Sequence, residues 1–447
     1  MLLRLGRVPA VVASSAAAAE EAMKTRDLAF SGRPRMLMVE RLLYSRDFAF
    51  APYSKYWRQA RRVCVLHVLS PRRIESFRLV RESEVAALVD RIRAHPTGGV
   101  VNLSDILVGY TNAVISRAAF SGGVCRLDGD DGGEKLRQVL ANFMELLAAT
   151  PVREIVSWLG WVDTLTGLEG KTRRTFEAID GLLERVIADH RSRRRPGGWR
   201  VVDGEDNQRD FVDVLLDVDE MDKEAGFRLE TDNIKALILD MFAAGTDTSY
   251  TVMTWAMAEL INHPHQMWKL QDEIRTVVGI GGRITEDHLH KLPYLKGVIT
   301  ETLRLHPPFP LVPRETIEDT ELLGYHIPAR TRVMINVWAM GRDPAMWEHA
   351  EEFVPERFID APVDYSKVGQ DFKFLPFGNG RRGCPGAGFA APSMELALAN
   401  ILYHFDWELA HSGRRQGTPL LDMSEVHGLS VRLKASLLLV AKPWYGP

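Results

Sequence analysis

The stretch Pro376-Phe377-Gly378-Asn379-Gly380-Arg381-Arg382-Gly383-Cys384-Pro385-Gly386 gathers four glycines, two prolines, two arginines and one of only three cysteines into eleven residues. Glycines have no Cβ and let a backbone approach a neighbour closely. A helical pattern, GFAAPSMELALANILYHF, begins at once after it. A sulfur at a helix start is stabilised as thiolate by free backbone amides and by the helix dipole, and Arg381 and Arg382 add positive charge. The setting suits a deprotonated, metal-binding cysteine. A buried, inert cysteine in a basic turn is the plain alternative.

One sulfur on an open-sided metal suits haem iron better than zinc, which takes three or four protein ligands. The remaining cysteines, Cys64 and Cys125, are far apart in sequence and make no disulfide framework, which points to a reducing compartment. No Cys-x-x-Cys-His occurs, so covalent c-type haem attachment is excluded. The 447 residues are 46% hydrophobic and 26% charged, a core-forming balance, and the net charge of −3 offers no basic field for nucleic acid. No apolar run reaches the roughly 18 residues of a membrane span.

Working outward, the chain opens as strand, proline turn, strand and an Ala-rich helix. Helical periodicity then dominates: Pro71–Ala94, Lys135–Ala149 and Thr172–Arg195 show the 3.6-residue pattern. The polar segment from His190 to Asp210 reads as a linker. The longest pattern runs from Thr231 and Asp232 to the His263-Pro264 stop and is apolar on nearly all sides, so it should be buried. After Pro308 short strands take over, and the tail from Val431 to Trp444 reads as a closing strand. The expected fold class is mainly α with small β-sheets. Gly279-Ile280-Gly281-Gly282 lacks the third glycine and the βαβ context of a dinucleotide loop, and Gly132-Gly133-Glu134-Lys135 lacks P-loop spacing.

Four further patterns stand upstream of the cysteine. Ala244-Gly245-Thr246-Asp247-Thr248-Ser249 lies inside the longest helix, where glycine costs about 1 kcal/mol relative to alanine. Thr248 can donate back to the Ala244 carbonyl and bend the helix. Glu301-x-x-Arg304 shares one helix face. Phe353-x-Pro355-Glu356-Arg357-Phe358 follows, and Trp57-x-x-x-Arg61 comes early in the chain.

The whole pattern Phe377-x-x-Gly380-x-Arg382-x-Cys384-x-Gly386, with these motifs in order before it, resembles the cytochrome P450 family of haem-thiolate monooxygenases. The resemblance covers essentially the whole chain and implies the fold of that family, with residues 1–447 as a single haem-binding catalytic domain. It implies Cys384 as proximal iron ligand and a haem b site framed by Trp57, Arg61, Ala244, Gly245, Arg314, Phe377, Arg382 and Gly386. Thr248 would hydrogen-bond dioxygen on the distal face, and Asp247 would deliver protons. Glu301, Arg304 and Arg357 would form a buried structural network. Phe242, Phe309, Val312 and His427 are the expected substrate contacts. Plant members carry one more residue before the arginine corresponding to Arg314, which leaves the register of Phe309 to Val312 open.

The wording of WVDTLTGL, AGTDTS and GLSVRLKASLLLVAKPW is similar to the plant A-type group, and within it to grass indole and indolinone hydroxylases. The resemblance implies oxygen insertion into a small hydrophobic plant metabolite, with O2 as co-substrate. Electrons would come from a separate NADPH-cytochrome P450 reductase, docking near Arg381, with cytochrome b5 as a further donor. Location is expected at the cytosolic face of the endoplasmic reticulum membrane. The anchor, hinge and first helix usual in plant members are not recognisable, so an N-terminally truncated chain is expected. The alternatives are an O2-independent haem-thiolate isomerase or dehydratase, which the Asp247-Thr248 pair argues against, and an inactive haem binder.

Overall fold

The computed structural model describes all residues except 6–7, 121–129, 194–208, 222–228, 368, 370, 411–420 and 447. Most of the His190–Asp210 linker and Cys125 lie outside the described residues. The described residues are mainly helical, with four small sheets among them.

The helix Thr231–Asn262 is the axis of the fold, about 48 Å long at 1.5 Å per residue. A capping box of Glu230 and Asn233 starts it, and His263 caps its end before Pro264 opens the next helix. Its side chains are buried almost all round, as the sequence pattern requires. It packs most extensively on the helix Leu103–Phe120, and also touches Pro293–Leu305 and Ala387–His404. No helix among the described residues is long and apolar enough to cross a membrane.

The pattern Pro71–Ala94 resolves into two helices, Pro71–Ser76 and Arg78–Arg93, parted at Phe77. The two opening strands, Leu2–Leu5 and Val8–Ala13, are present and form a hairpin. Val8–Ala13 runs parallel to Arg332–Asn336, which pairs antiparallel with Leu311–Glu315. This register sets Arg314 opposite Val333 and Val312 opposite Ile335. The expected single closing strand is two strands. Val431–Leu433 turns back on Glu425–His427, and Leu438–Pro443 joins Val100–Asn102 and Phe405–Leu409. The first of these hairpins projects its turn, Gly428 to Ser430, toward the long helix, where the Thr251 and Ser430 hydroxyls lie 2.9 Å apart.

Candidate active site

A cavity of about 270 Å³ lies between the long helix and the cysteine loop. The helix contributes Met241, Ala244, Gly245, Thr248 and Val252, spaced as one helical face. Ala244 is exposed in the middle of an otherwise buried segment because it faces this cavity. A Cβ on Gly245 would sit 2.6 Å from Ile115 Cδ1, so close helix packing accounts for the glycine. Thr248 Oγ1 donates to the Ala244 carbonyl at 2.6 Å. The helix nevertheless continues as one α-helical run through the motif. Asp247 faces elsewhere: its Oδ2 accepts the Ser430 amide at 3.1 Å and the Ser430 hydroxyl.

The opposite wall is the cysteine loop, with Phe377, Cys384 and Gly386. Gly380 has φ +68°, and a Cβ there would collide with the Met23 carbonyl. The loop closes on itself where the Cys384 amide donates to the Phe377 carbonyl at 2.8 Å. Burial pushes the Cys384 thiol up; the Gly386 and Ala387 amides and the Arg61 charge pull it the other way. Arg381 points outward, paired with Asp27 at 3.1 Å.

At one edge of the cavity four arginines converge. Arg382 donates to the carbonyls of Ser31 (2.8 Å), Phe48 (3.3 Å) and Ala51 (2.7 Å). Arg61 donates to the Gly383 carbonyl at 2.6 Å. Arg314 donates to the Asn379 carbonyl at 3.1 Å, and Arg33 to the carbonyls of Ala49 and Pro313. These partners are neutral. Burial, followed by the charges of Arg33 and Arg61, pushes Arg382 down to about 8. Arg33 is driven to about 10 by burial first and then by Arg61, and Arg314 falls well below its usual range through burial, Arg33 and Arg382. A guanidinium still holds its proton at neutral pH. The edge therefore carries buried positive charge that its own hydrogen-bond partners, all neutral carbonyls, do not balance.

Glu301 and Arg304, one turn apart on the helix Pro293–Leu305, are both fully buried. Arg304 forks onto Glu301 with two bonds of 2.7 Å, and donates to the carbonyls of Gly341, Ala350 and Glu352. Arg357 Nε reaches Glu301 Oε1 at 3.0 Å, and the Val354 amide donates there too. Both guanidiniums lie over the Trp347 ring; Trp347 meets Phe358, and Phe358 meets Phe374 just before the cysteine loop.

The structure brings Cys384, Arg382, Arg61, Ala244, Gly245, Thr248, Phe377 and Gly386 to one cavity, with Arg314 buried beside it. Phe309 and Val312 line it as well. Phe242 does not; it is buried one residue off the cavity-facing stripe of the helix. His427 is exposed on its strand, and Leu429, two residues on in the hairpin turn, lines the cavity instead. Trp57 is buried behind the wall, where its Nε1 donates to the Phe48 carbonyl at 2.8 Å. Its ring is covered by Arg382 at 4.1 Å and lies 5.8 Å from Arg61. Sequence reasoning missed Arg33, Asp240 and Leu429, all in the cavity wall. Leu429 had one available signal, a place two residues from His427 in a hairpin.

This donor set fits a haem. A thiol with two amides beside it stands on one wall, an apolar helix face on the other, and the excess of buried guanidiniums suits two propionate carboxylates at the edge. The family profile for Cytochrome P450 matches residues 1–425. The chain is 46% identical over 446 residues to Cytochrome P450 71A1 of Persea americana, covering 99% of this chain and 86% of that protein. It is 43% identical over 445 residues to (+)-menthofuran synthase of Mentha piperita, with the same coverage. Among solved structures, a zebra fish cytochrome P450 with abiraterone superposes with a TM-score of 0.81 at 24% identity, covering 100% of this chain and 96% of that one, which shows the fold. The chain belongs to the cytochrome P450 family, with plant relatives, and is an oxidoreductase of the monooxygenase class.

Proposed function

We propose that this chain, acting as one haem-binding domain, inserts one atom of O2 into a small hydrophobic plant metabolite. The overall stoichiometry is RH, O2, two electrons and two protons to ROH and water. The observation that carries the reading is that Cys384 and Thr248 face one largely apolar cavity from opposite walls, with the arginine edge between them. Haem b, when bound, would supply the oxygen activation. The residues of the chain supply the rest. Cys384 would hold the haem iron through its sulfur, and a thiolate there would supply electron density that favours O–O cleavage. Arg33, Arg61, Arg314 and Arg382 would hold the propionates. Thr248 presents a hydroxyl to the cavity for hydrogen bonding and proton transfer. Asp247, one residue before it and held by Ser430, is the proton source nearest in sequence. Phe309, Val312 and Leu429 shape the substrate wall.

Electrons come from a separate NADPH-dependent reductase. Arg381 is exposed on the cysteine loop, and Lys55, Arg58 and Arg62 are exposed on the helix Lys55–Val63, whose Arg61 donates to the Gly383 carbonyl of that loop; these cations offer the reductase a positive face. The relationship to the plant members supports the cytosolic face of the endoplasmic reticulum membrane as the site of action. Thr248→Ala tests the chemistry. The variant should keep consuming O2 with reductase present while product formed per O2 falls several-fold. Unchanged coupling would remove Thr248 from the reaction. The ferrous carbon-monoxide spectrum tests Cys384: the wild type should show the strongly red-shifted Soret band of a thiolate ligand, and Cys384→His should not.

A further inference from the structure

The loop from Asp47 to Ala51 joins the long helix to the arginine edge in an unusual way. The Phe48 amide donates to Asp240 Oδ2 at 2.7 Å. The carbonyl of the same residue accepts from Trp57 Nε1 at 2.8 Å and from Arg382 at 3.3 Å. The Ala49–Phe50 peptide is held at both ends. Its amide, on Phe50, donates to Asp47 Oδ1 at 2.5 Å, and its carbonyl, on Ala49, accepts from Arg33 Nε at 3.1 Å. Asp47 also accepts the Ala51 amide at 3.1 Å, while the Ala51 carbonyl accepts from Arg382 at 2.7 Å.

Residue Phe48 is therefore held by a buried carboxyl at its N–H and a buried guanidinium at its C=O, and the Ala49–Phe50 peptide lies between Asp47 and Arg33. Asp240 is 4% exposed and Asp47 2%. The hydrogen bonds of both carboxyls run to backbone amides, so the link to the arginines passes through the backbone. A peptide whose N–H is bound by a carboxyl has a more strongly polarised carbonyl, so the bonds through Ala49–Phe50 reinforce one another. Asp240 sits on the long helix two turns before Thr248, and it lines the same cavity.

We infer that Asp240 is a positioning residue for the propionate-binding edge: by holding the amide of Phe48, whose carbonyl Arg382 binds, it fixes where Arg382 points, and so how firmly haem is held. The inference rests on the reading that Arg382 holds a propionate. It assigns Asp240 no contact with O2 or substrate.

The test measures haem release from the holoprotein to excess apomyoglobin, together with the haem reduction potential. The variants are Asp240→Ala, Asp240→Asn, Arg382→Met and the double variant Asp240→Ala/Arg382→Met. Asp240→Ala should release haem about tenfold faster and shift the potential. Asp240→Asn keeps an acceptor oxygen, folds in place of Asp, and should restore most of the retention. In the Arg382→Met background, Asp240→Ala should add little, because both act on one chain of bonds. Wild-type release from Asp240→Ala, or an effect that adds in full to that of Arg382→Met, would overturn the inference. Arg382→Met with unchanged haem release would instead sink the propionate reading beneath it, and this inference with it.

Discussion

The molecule buries arginines in two places, and it treats them differently. Around Glu301, two guanidiniums share one carboxylate and divide their remaining N–H groups among backbone carbonyls. Around the cavity, the hydrogen bonds of Arg33, Arg61, Arg314 and Arg382 among the described residues run to backbone carbonyls, with the Trp57 ring over Arg382 and Arg61. The nearest acids are otherwise engaged: Asp27 pairs with Arg381, and burial raises Asp47 toward its neutral form. The first cluster is complete in itself and serves the fold. The second carries more positive charge than its own surroundings balance, and its excess is the specification for a dianionic ligand.

The largest expected effect comes from the complete cluster. Glu301→Gln leaves Arg304 and Arg357 without their counter-charge and should cost about 3–5 kcal/mol. Urea unfolding of the haem-free protein reads this directly; a loss under about 1 kcal/mol would erase the distinction between the clusters.

At the cavity edge the pattern should invert. Arg382→Met gives up carbonyl bonds but relieves repulsion from Arg33 and Arg61. Haem release should rise at least about tenfold, while the haem-free protein changes by less than about 1 kcal/mol. Comparable losses in both measurements would make the two clusters alike.

A third site sharpens the comparison because the partners of its carboxylate are histidines. Glu259 accepts from His306 at 2.6 Å and lies 3.2 Å from His263. Burial alone would raise its carboxyl, but the hydrogen bonds and charges of the two histidines outweigh this and hold it at about 2. The folded value lies below the ordinary 4.5, so the stability it contributes is present above about pH 4.5 and is lost as pH falls toward 2. Glu259→Gln should cost about 2–3 kcal/mol at pH 6, with the gap to wild type narrowing on acidification below pH 4.5. A constant gap would show that charge compensation is not what holds this site.

The smallest effect is expected at Trp57. Trp57→Phe keeps an aromatic face under Arg382 but loses the donor to the Phe48 carbonyl. Haem release should change less than about threefold.

Much of this was readable from the chain. The cysteine loop, the long helix and Glu301-x-x-Arg304 are local patterns whose spacing survives folding. What was not readable depends on tertiary placement. Arg33 sits in an unmarked Gly-Arg-Pro-Arg stretch and reaches the cavity only because the Leu311–Glu315 strand passes beside it. The use of Trp57's N–H by Phe48 follows from a loop path that no spacing encodes. Phe242 was open to a better reading: Met241, Ala244, Gly245 and Thr248 define a helical stripe, and Phe242 falls off it.

The contact between Gly245 and Ile115 bears on how such a pocket can change over generations. A single added methyl at position 245 would press on the Ile115 side chain of the neighbouring helix. Change beside Thr248 therefore calls for an answering change at Ile115. Phe309, Val312 and Leu429 stand on a strand, its approach and a hairpin turn, where a side chain can grow or shrink without moving a helix. Drift in substrate preference can accumulate on that side of the cavity while the oxygen side is held still.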